Sequence, residues 1–125
     1  MAHSEQLEGG VLEVLTPQEV KDRFDADEIV LIDVRTPAEY AFEHIRGALL
    51  FPLQSFDAAK LPSQEGKPVV FHCGSGKRSR TVAERCARHG IARTAHMDGG
   101  FAAWKNLGFP YTGTDPATGA PRDHN

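Results

Sequence analysis

Short apolar runs and amphipathic stretches alternate along nearly the whole chain, and this rhythm restricts the possible folds more than any other feature. EIVLIDV (28–34) and KPVVFHC (67–73) are near-continuous apolar runs with β-branched residues, the pattern of strands buried on both faces. VLEVLT (11–16), ALLFPL (48–53) and TAHM (94–97) read as further, shorter strands. A helix entered through Thr16 and Pro17 runs to about Phe24, and a short one lies in TPAEYAFE (36–43), followed by a turn at Gly47. Another spans Arg78 to His89, closed by Gly90, and a last one lies in GFAAWKNLG (100–108). Repeated strand-then-helix order predicts an α/β fold, a parallel sheet with helices on both faces.

The 125 residues suffice for one domain with one ordinary core. We place that domain at 11–111, after a loose N-terminal segment (1–10) and before a flexible tail (112–125) with few apolar residues. No apolar run approaches the ~18 residues that cross a bilayer, and the polar start MAHSEQLEGG does not read as a secretory signal. A cytoplasmic setting is therefore expected, with reduced thiols; two cysteines make no disulfide framework.

One of those cysteines, Cys73, follows the second long apolar run and opens the segment CGSGKRS. In open α/β sheets chemistry gathers at the carboxyl ends of strands, where the chain turns towards a helix. Gly74 and Gly76 let the backbone curl so that successive amides face inward as an anion nest. The helix beginning near Arg78 aims its positive end at the same centre, and Lys77 and Arg78 add charge. Each feature favours thiolate over thiol, so Cys73 is expected to be an accessible nucleophile of lowered pKa. The charge distribution agrees. Residues 1–43 carry eleven acids against three bases, whereas 77–93 carry six bases against Glu84 alone. That local field suits an anionic substrate; without interleaved aromatics it gives little support to nucleic-acid binding.

Other chemistries fit less well. A phosphate-binding P-loop needs glycine and Ser/Thr where this chain has Phe71 and Arg78. Zinc needs more Cys and His ligands at workable spacing than His72, Cys73 and the distant Cys86 supply. A Cys–His pair would draw on His44, His72, His89 or His96. His72 adjoins Cys73 on a strand, so the two side chains should point to opposite faces. Cys86 lies in an apolar stripe with Val82, Ala83 and Ala87 at helical spacing and reads as core.

Three stretches in this order give the chain its family likeness. LIDVRTPAEYAFEHIRGALLFPL, HCGSGKRS and MDGGFAAWKNLGFP together resemble the single-domain rhodanese (sulfurtransferase) family. The resemblance implies a five-stranded parallel sheet flanked by helices, and sulfur transfer through a Cys73 persulfide without metal or organic cofactor. A small anionic donor such as thiosulfate would load the sulfur, and cyanide, a thiol or a partner protein would collect it. Gly74, Ser75, Gly76, Lys77, Arg78 and Ser79 match the loop that encircles the sulfur, with Asp33 and Arg35 in support. Glu39, Tyr40 and His44 match the first signature and read as structural, and Trp104 reads as core. CGSG is similar to the loop start of mercaptopyruvate sulfurtransferases, whereas KRS is closer to the thiosulfate type. The basic pair favours thiosulfate, a compact dianion.

Two rivals follow from the same residues. Phosphatases and arsenate reductases of related fold use Cys-x5-Arg, one residue longer than the Cys-x4-Arg from Cys73 to Arg78. A non-catalytic rhodanese-like binding module is the other, although such modules typically lose the cysteine kept here.

Overall fold

The computed structural model describes residues 2–62 and 66–125. Its strands are β1 (His3–Leu7), β2 (Gly10–Leu15), β3 (Val30–Asp33), β4 (Glu43–His44), β5 (Leu49–Leu50), β6 (Val69–His72), β7 (Arg93–Met97), β8 (Tyr111–Thr114) and β9 (Pro121–His124). Its α-helices are α1 (Pro17–Asp25), α2 (Pro37–Phe42), α3 (Lys77–Arg88) and α4 (Gly100–Asn106). Both α1 and α2 open with a full capping box, Thr16 with Glu19 and Thr36 with Glu39, each followed by proline.

Five parallel strands run in the order β2-β7-β6-β3-β5, as expected, and β1 joins them as an antiparallel edge beside β2. Period-two alternation divides the core between the two faces of this sheet. Leu15, Leu31, Val70, Ala95 and Met97 pack with Val20 of α1 and with Phe101 and Trp104 of α4. Ile32, Val34, Val69, Phe71 and Cys73 pack on the other face with Val82 and Cys86 of α3. Cys86 and Trp104 are core residues, as read from the sequence, and the Trp104 indole N–H donates to the Pro110 carbonyl at 2.8 Å.

Both chain ends depart from expectation. Residue 1 lies outside the described residues, but 3–7 form β1, turned back onto β2 at Glu8 and Gly9. Gly9 adopts φ +91°, and a methyl group there would lie 2.7 Å from the Ala87 carbonyl oxygen, so the turn packs directly on α3. The C-terminal segment is likewise ordered. β8 and β9 form a hairpin that continues into β4. Polar pairs hold it where apolar residues are few: Thr112 donates to Asp123 at 2.8 Å, and the rings of Tyr111 and His124 stack with centroids 4.5 Å apart. Among the described residues no helix is long and apolar enough to cross a membrane.

Candidate active site

Strand β6 ends at His72, and the chain then curls through residues 73–76 into α3. Gly76, the residue before that helix, has φ +109°, a conformation side-chain-bearing residues rarely adopt. The curl turns the Gly76 amide onto Cys73, and its N–H donates to Sγ at 3.0 Å. The loop carbonyls point the other way. Phe101 N–H donates to the Cys73 carbonyl at 2.8 Å and Ala102 N–H to that of Gly74 at 3.1 Å. The otherwise orphaned amides at the start of α4 thus anchor the loop from behind. Only glycine fits at that junction. A methyl group on Gly100 would sit 2.5 Å from the Cys73 oxygen, and φ there is +60°.

The thiol faces opposing influences. Burial pushes the Cys73 pKa up, while the Ser79 amide and hydroxyl and the amides of Gly76 and Ser75 pull it down, leaving it below the ordinary thiol value. In this respect the sequence reading and the geometry agree. Accessibility is a correction, because Cys73 is 0 % exposed. Just beyond β6, the Cys73 side chain packs with Val82 and Cys86 of α3, while its loop neighbours reach the surface, Ser75 exposed and Gly74 and Gly76 half-buried.

Around the rim, the expected residues divide. Arg78 makes a bidentate ion pair with Glu39, at 2.7 and 3.0 Å, which holds the Glu39 carboxyl down at about 2. The same carboxylate closes the α2 capping box, so a residue read as structural also fixes the loop's arginine. Lys77 is exposed and has no ion pair among the described residues. Arg80 pairs with Glu5 of β1, so two of the bases expected to form a positive field are already matched by carboxylates. Gly74 borders a groove of about 360 Å³ lined also by Glu43, Phe101, Ala102, Lys105 and Asn106.

Asp33 and Arg35 form a buried pair. Asp33 accepts from the Arg35 amide at 2.9 Å and from its guanidinium at 2.8 to 3.1 Å. The guanidinium also donates to the Glu43 carbonyl at 2.7 Å and lies over the Phe101 ring, 4.5 Å from its centroid. Through Phe101, whose amide binds the Cys73 carbonyl, the pair braces the loop without touching the sulfur. The His72 ring lies on the side away from the Cys73 sulfur, with Nδ1 3.2 Å from the Cys73 carbonyl oxygen and Nε2 3.6 Å from Asp33, and burial pushes its pKa down. Of the four candidate histidines, His96 comes near the thiol. Its Nδ1 lies 2.8 Å from Ser79 Oγ, which is 3.6 Å from Cys73 Sγ. Strand alternation carried the signal, since Ala95 and Met97 point to the α1/α4 face and so turn His96 to the side of Cys73.

The chain is 34% identical over 103 residues to an uncharacterized protein of Synechocystis, covering 82% of this chain and 58% of that protein. It is 35% identical over 95 residues to a probable adenylyltransferase/sulfurtransferase, MoeZ, of Mycobacterium tuberculosis, covering 72% of this chain and 24% of the longer relative. A thiosulfate sulfurtransferase, GlpE, of Actinobacillus succinogenes is 28% identical over 77% of this chain and 86% of its own. The solution structure of a rhodanese-like domain from Anabaena superposes with a TM-score of 0.71 at 21% identity, over 88% of this chain and 87% of that one, which shows the shared fold. The model of the rhodanese-like domain matches residues 16–107, and with the Cys73 loop at the head of a parallel sheet the chain belongs to the rhodanese-like domain family.

Proposed function

We propose that the protein is a sulfurtransferase that moves a sulfane sulfur from a small anionic donor, thiosulfate by preference, to a thiol or cyanide through a persulfide on Cys73. The observation that carries this reading is the 3.0 Å contact from the Gly76 amide to Sγ inside a loop whose Cys73 and Gly74 carbonyls are bonded to the amides of α4. Such a loop stabilises one negative sulfur and has four residues between Cys73 and Arg78. The sulfurtransferase names of relatives at 28% and 35% identity support the same chemistry.

In the first half-reaction the Cys73 thiolate attacks the outer sulfur of thiosulfate. A new S–S bond forms, the donor's own S–S bond breaks, and sulfite leaves with the electron pair. The persulfide's outer sulfur then carries the charge within reach of the loop amides. In the second half-reaction the acceptor attacks that outer sulfur, and Cys73 leaves as thiolate under the same hydrogen bonds. Because Cys73 is covered at rest, donor entry requires the rim above it to open. The Arg78–Glu39 pair is the part of the rim that an incoming anion competes for.

Intact-protein mass spectrometry before and after thiosulfate tests the reading. The expected result is the added mass of one sulfur, removed by cyanide and absent from Cys73→Ser. Phosphate release from an aryl phosphate without sulfur loading would assign phosphatase chemistry instead. A Cys73→Ser protein that keeps its biological role would make it a binding module.

A further inference from the structure

Cys73, Ser79 and His96 lie along one hydrogen-bonded path on the α3 face of the sheet. Sγ is 3.6 Å from Ser79 Oγ, and Oγ is 2.8 Å from His96 Nδ1. Ser79 is 0 % and His96 5 % exposed. A hydroxyl has one proton to give and two lone pairs to share. Besides the thiol and the imidazole, the Gly76 carbonyl lies 3.2 Å from Ser79 Oγ. If Nδ1 is bare, Ser79 gives its proton to the ring and presents a lone pair to the thiol. If Nδ1 carries a proton, it donates to Oγ, and the hydroxyl proton is free for the sulfur, which as a thiolate is a stronger acceptor than the neutral Gly76 carbonyl. The state of the imidazole therefore decides whether Cys73 meets an acceptor or a donor.

We propose that Ser79 and His96 form a proton relay for Cys73, with His96 acting through Ser79 as a positioning residue that accepts the thiol proton as the sulfur becomes nucleophilic. The S–H bond breaks and its electron pair stays on Sγ; the proton passes to Ser79 Oγ while the Ser79 proton passes to Nδ1. Thiol and imidazole become thiolate and imidazolium, with no change in total charge. Afterwards the hydroxyl, held by the imidazolium N–H, points its new proton at the thiolate. The proposal deepens the sulfur-transfer reading and rests on Cys73 being its nucleophile.

Charged groups from three elements face His96: Arg80 of α3, Glu5 and His3 of β1, and Asp98 just beyond the end of β7. Burial and then Arg80 hold the imidazole below its usual pKa, so at rest near neutrality it is uncharged and able to accept. Asp98 and Glu5 oppose them and stabilise the imidazolium once it forms. β1, outside the span matched by the family model, thereby joins the electrostatics of the site.

The test uses the full chain and the pH dependence of Cys73 alkylation by iodoacetamide, with the adduct located by mass spectrometry. His96→Asn places an amide near the former Nδ1, where it can bond Ser79 but cannot take up a proton. We expect alkylation at neutral pH to slow about tenfold and its midpoint to rise. Ser79→Ala should do the same, and the double variant should be no worse than Ser79→Ala alone. An unchanged midpoint in folded His96→Asn would reduce His96 to a prop and overturn the relay. A second measurement needs neither variant. The His96 Cε1–H resonance should titrate at higher pH in the wild type than in Cys73→Ala, because thiolate and imidazolium favour each other. Identical titrations would also overturn it. Wild-type protein with coupled titrations but no sulfur loading from thiosulfate would instead sink the sulfur-transfer reading and leave the relay standing.

Discussion

The amide of Phe101 donates to the carbonyl of Cys73 at 2.8 Å, so the first turn of α4 and the nucleophile's own peptide unit are held together. Gly100 makes this contact possible, and its replacement gives the most direct test of the loop's support. Gly100→Ala would place a methyl group 2.5 Å from the Cys73 oxygen and 2.6 Å from the Gly74 carbonyl carbon, at φ +60°. We expect destabilisation of about 2 kcal/mol or more in urea unfolding. Sulfur loading should be lost in the fraction that remains folded. A variant as stable as wild type would show that α4 does not anchor the loop.

Arg35→Leu removes the cation from a carboxylate that is 0 % exposed, leaving the Asp33 charge buried with only the main-chain amide of residue 35 to meet it. Breaking such a pair from one side costs about 3–5 kcal/mol, and we expect a loss of that size by chemical denaturation. Asp33→Asn with Arg35→Leu should recover part of it, since neither charge then remains. Failure of the double replacement to recover stability would mean that the guanidinium's packing on Phe101 matters more than its charge.

Glu39 predicts an acid dependence. Its carboxyl is held at about 2, chiefly by the hydrogen bonds from Arg78, below the value it takes in an unfolded chain. Unfolded protein therefore binds this proton more readily, and the stabilisation, complete above the ordinary carboxylate range, is lost as pH falls towards about 2. Glu39→Gln should be less stable by about 1 kcal/mol near neutrality, from a weakened capping box and a largely screened ion pair. Thermal unfolding of the variant between those pH limits should be flatter than that of wild type. Parallel curves would locate the acid dependence elsewhere.

The two cysteines should differ sharply in reactivity. Burial pushes Cys86 up to about 11 with no opposing donor, whereas the loop draws Cys73 below the usual thiol value. At pH about 8, iodoacetamide should modify Cys73 at least about tenfold faster than Cys86. Equal rates, or a silent Cys73, would show that the loop does not open to reagents in solution.

What could be read from the residues was what local pattern dictates. Continuous apolar runs with β-branched residues in EIVLIDV and KPVVFHC gave the buried strands, and glycines beside a helix start gave the inward amides around Cys73. Burial of Cys73 was not legible, because it depends on how the strand, the loop and α3 close together. The Arg78–Glu39 pair joins residues 39 positions apart, and nothing in either segment names the other. β1, β8 and β9 escaped for a different reason. HSEQL and PRDH lack the apolar alternation that marks a half-buried strand; a polar cross-strand contact holds the hairpin, and β1 is held by its ladder with β2, by Arg80 of α3 and by Leu7. His96 stood among four candidate histidines, and the alternation of its strand with Met97 on the opposite face was the signal that singles it out.

The margins of the main sheet bear on self-association. β5 pairs with β3 through two residues only, too short a rim to template another chain. The opposite rim is β1, five residues of largely polar sequence whose Glu5 is engaged by Arg80 and His3. An intruding ribbon would have to lie beside charge on one side of the molecule and would find almost no length to grip on the other. The main sheet thus offers little purchase for edge-to-edge growth, and neither rim involves the carboxyl ends of the strands where Cys73 lies.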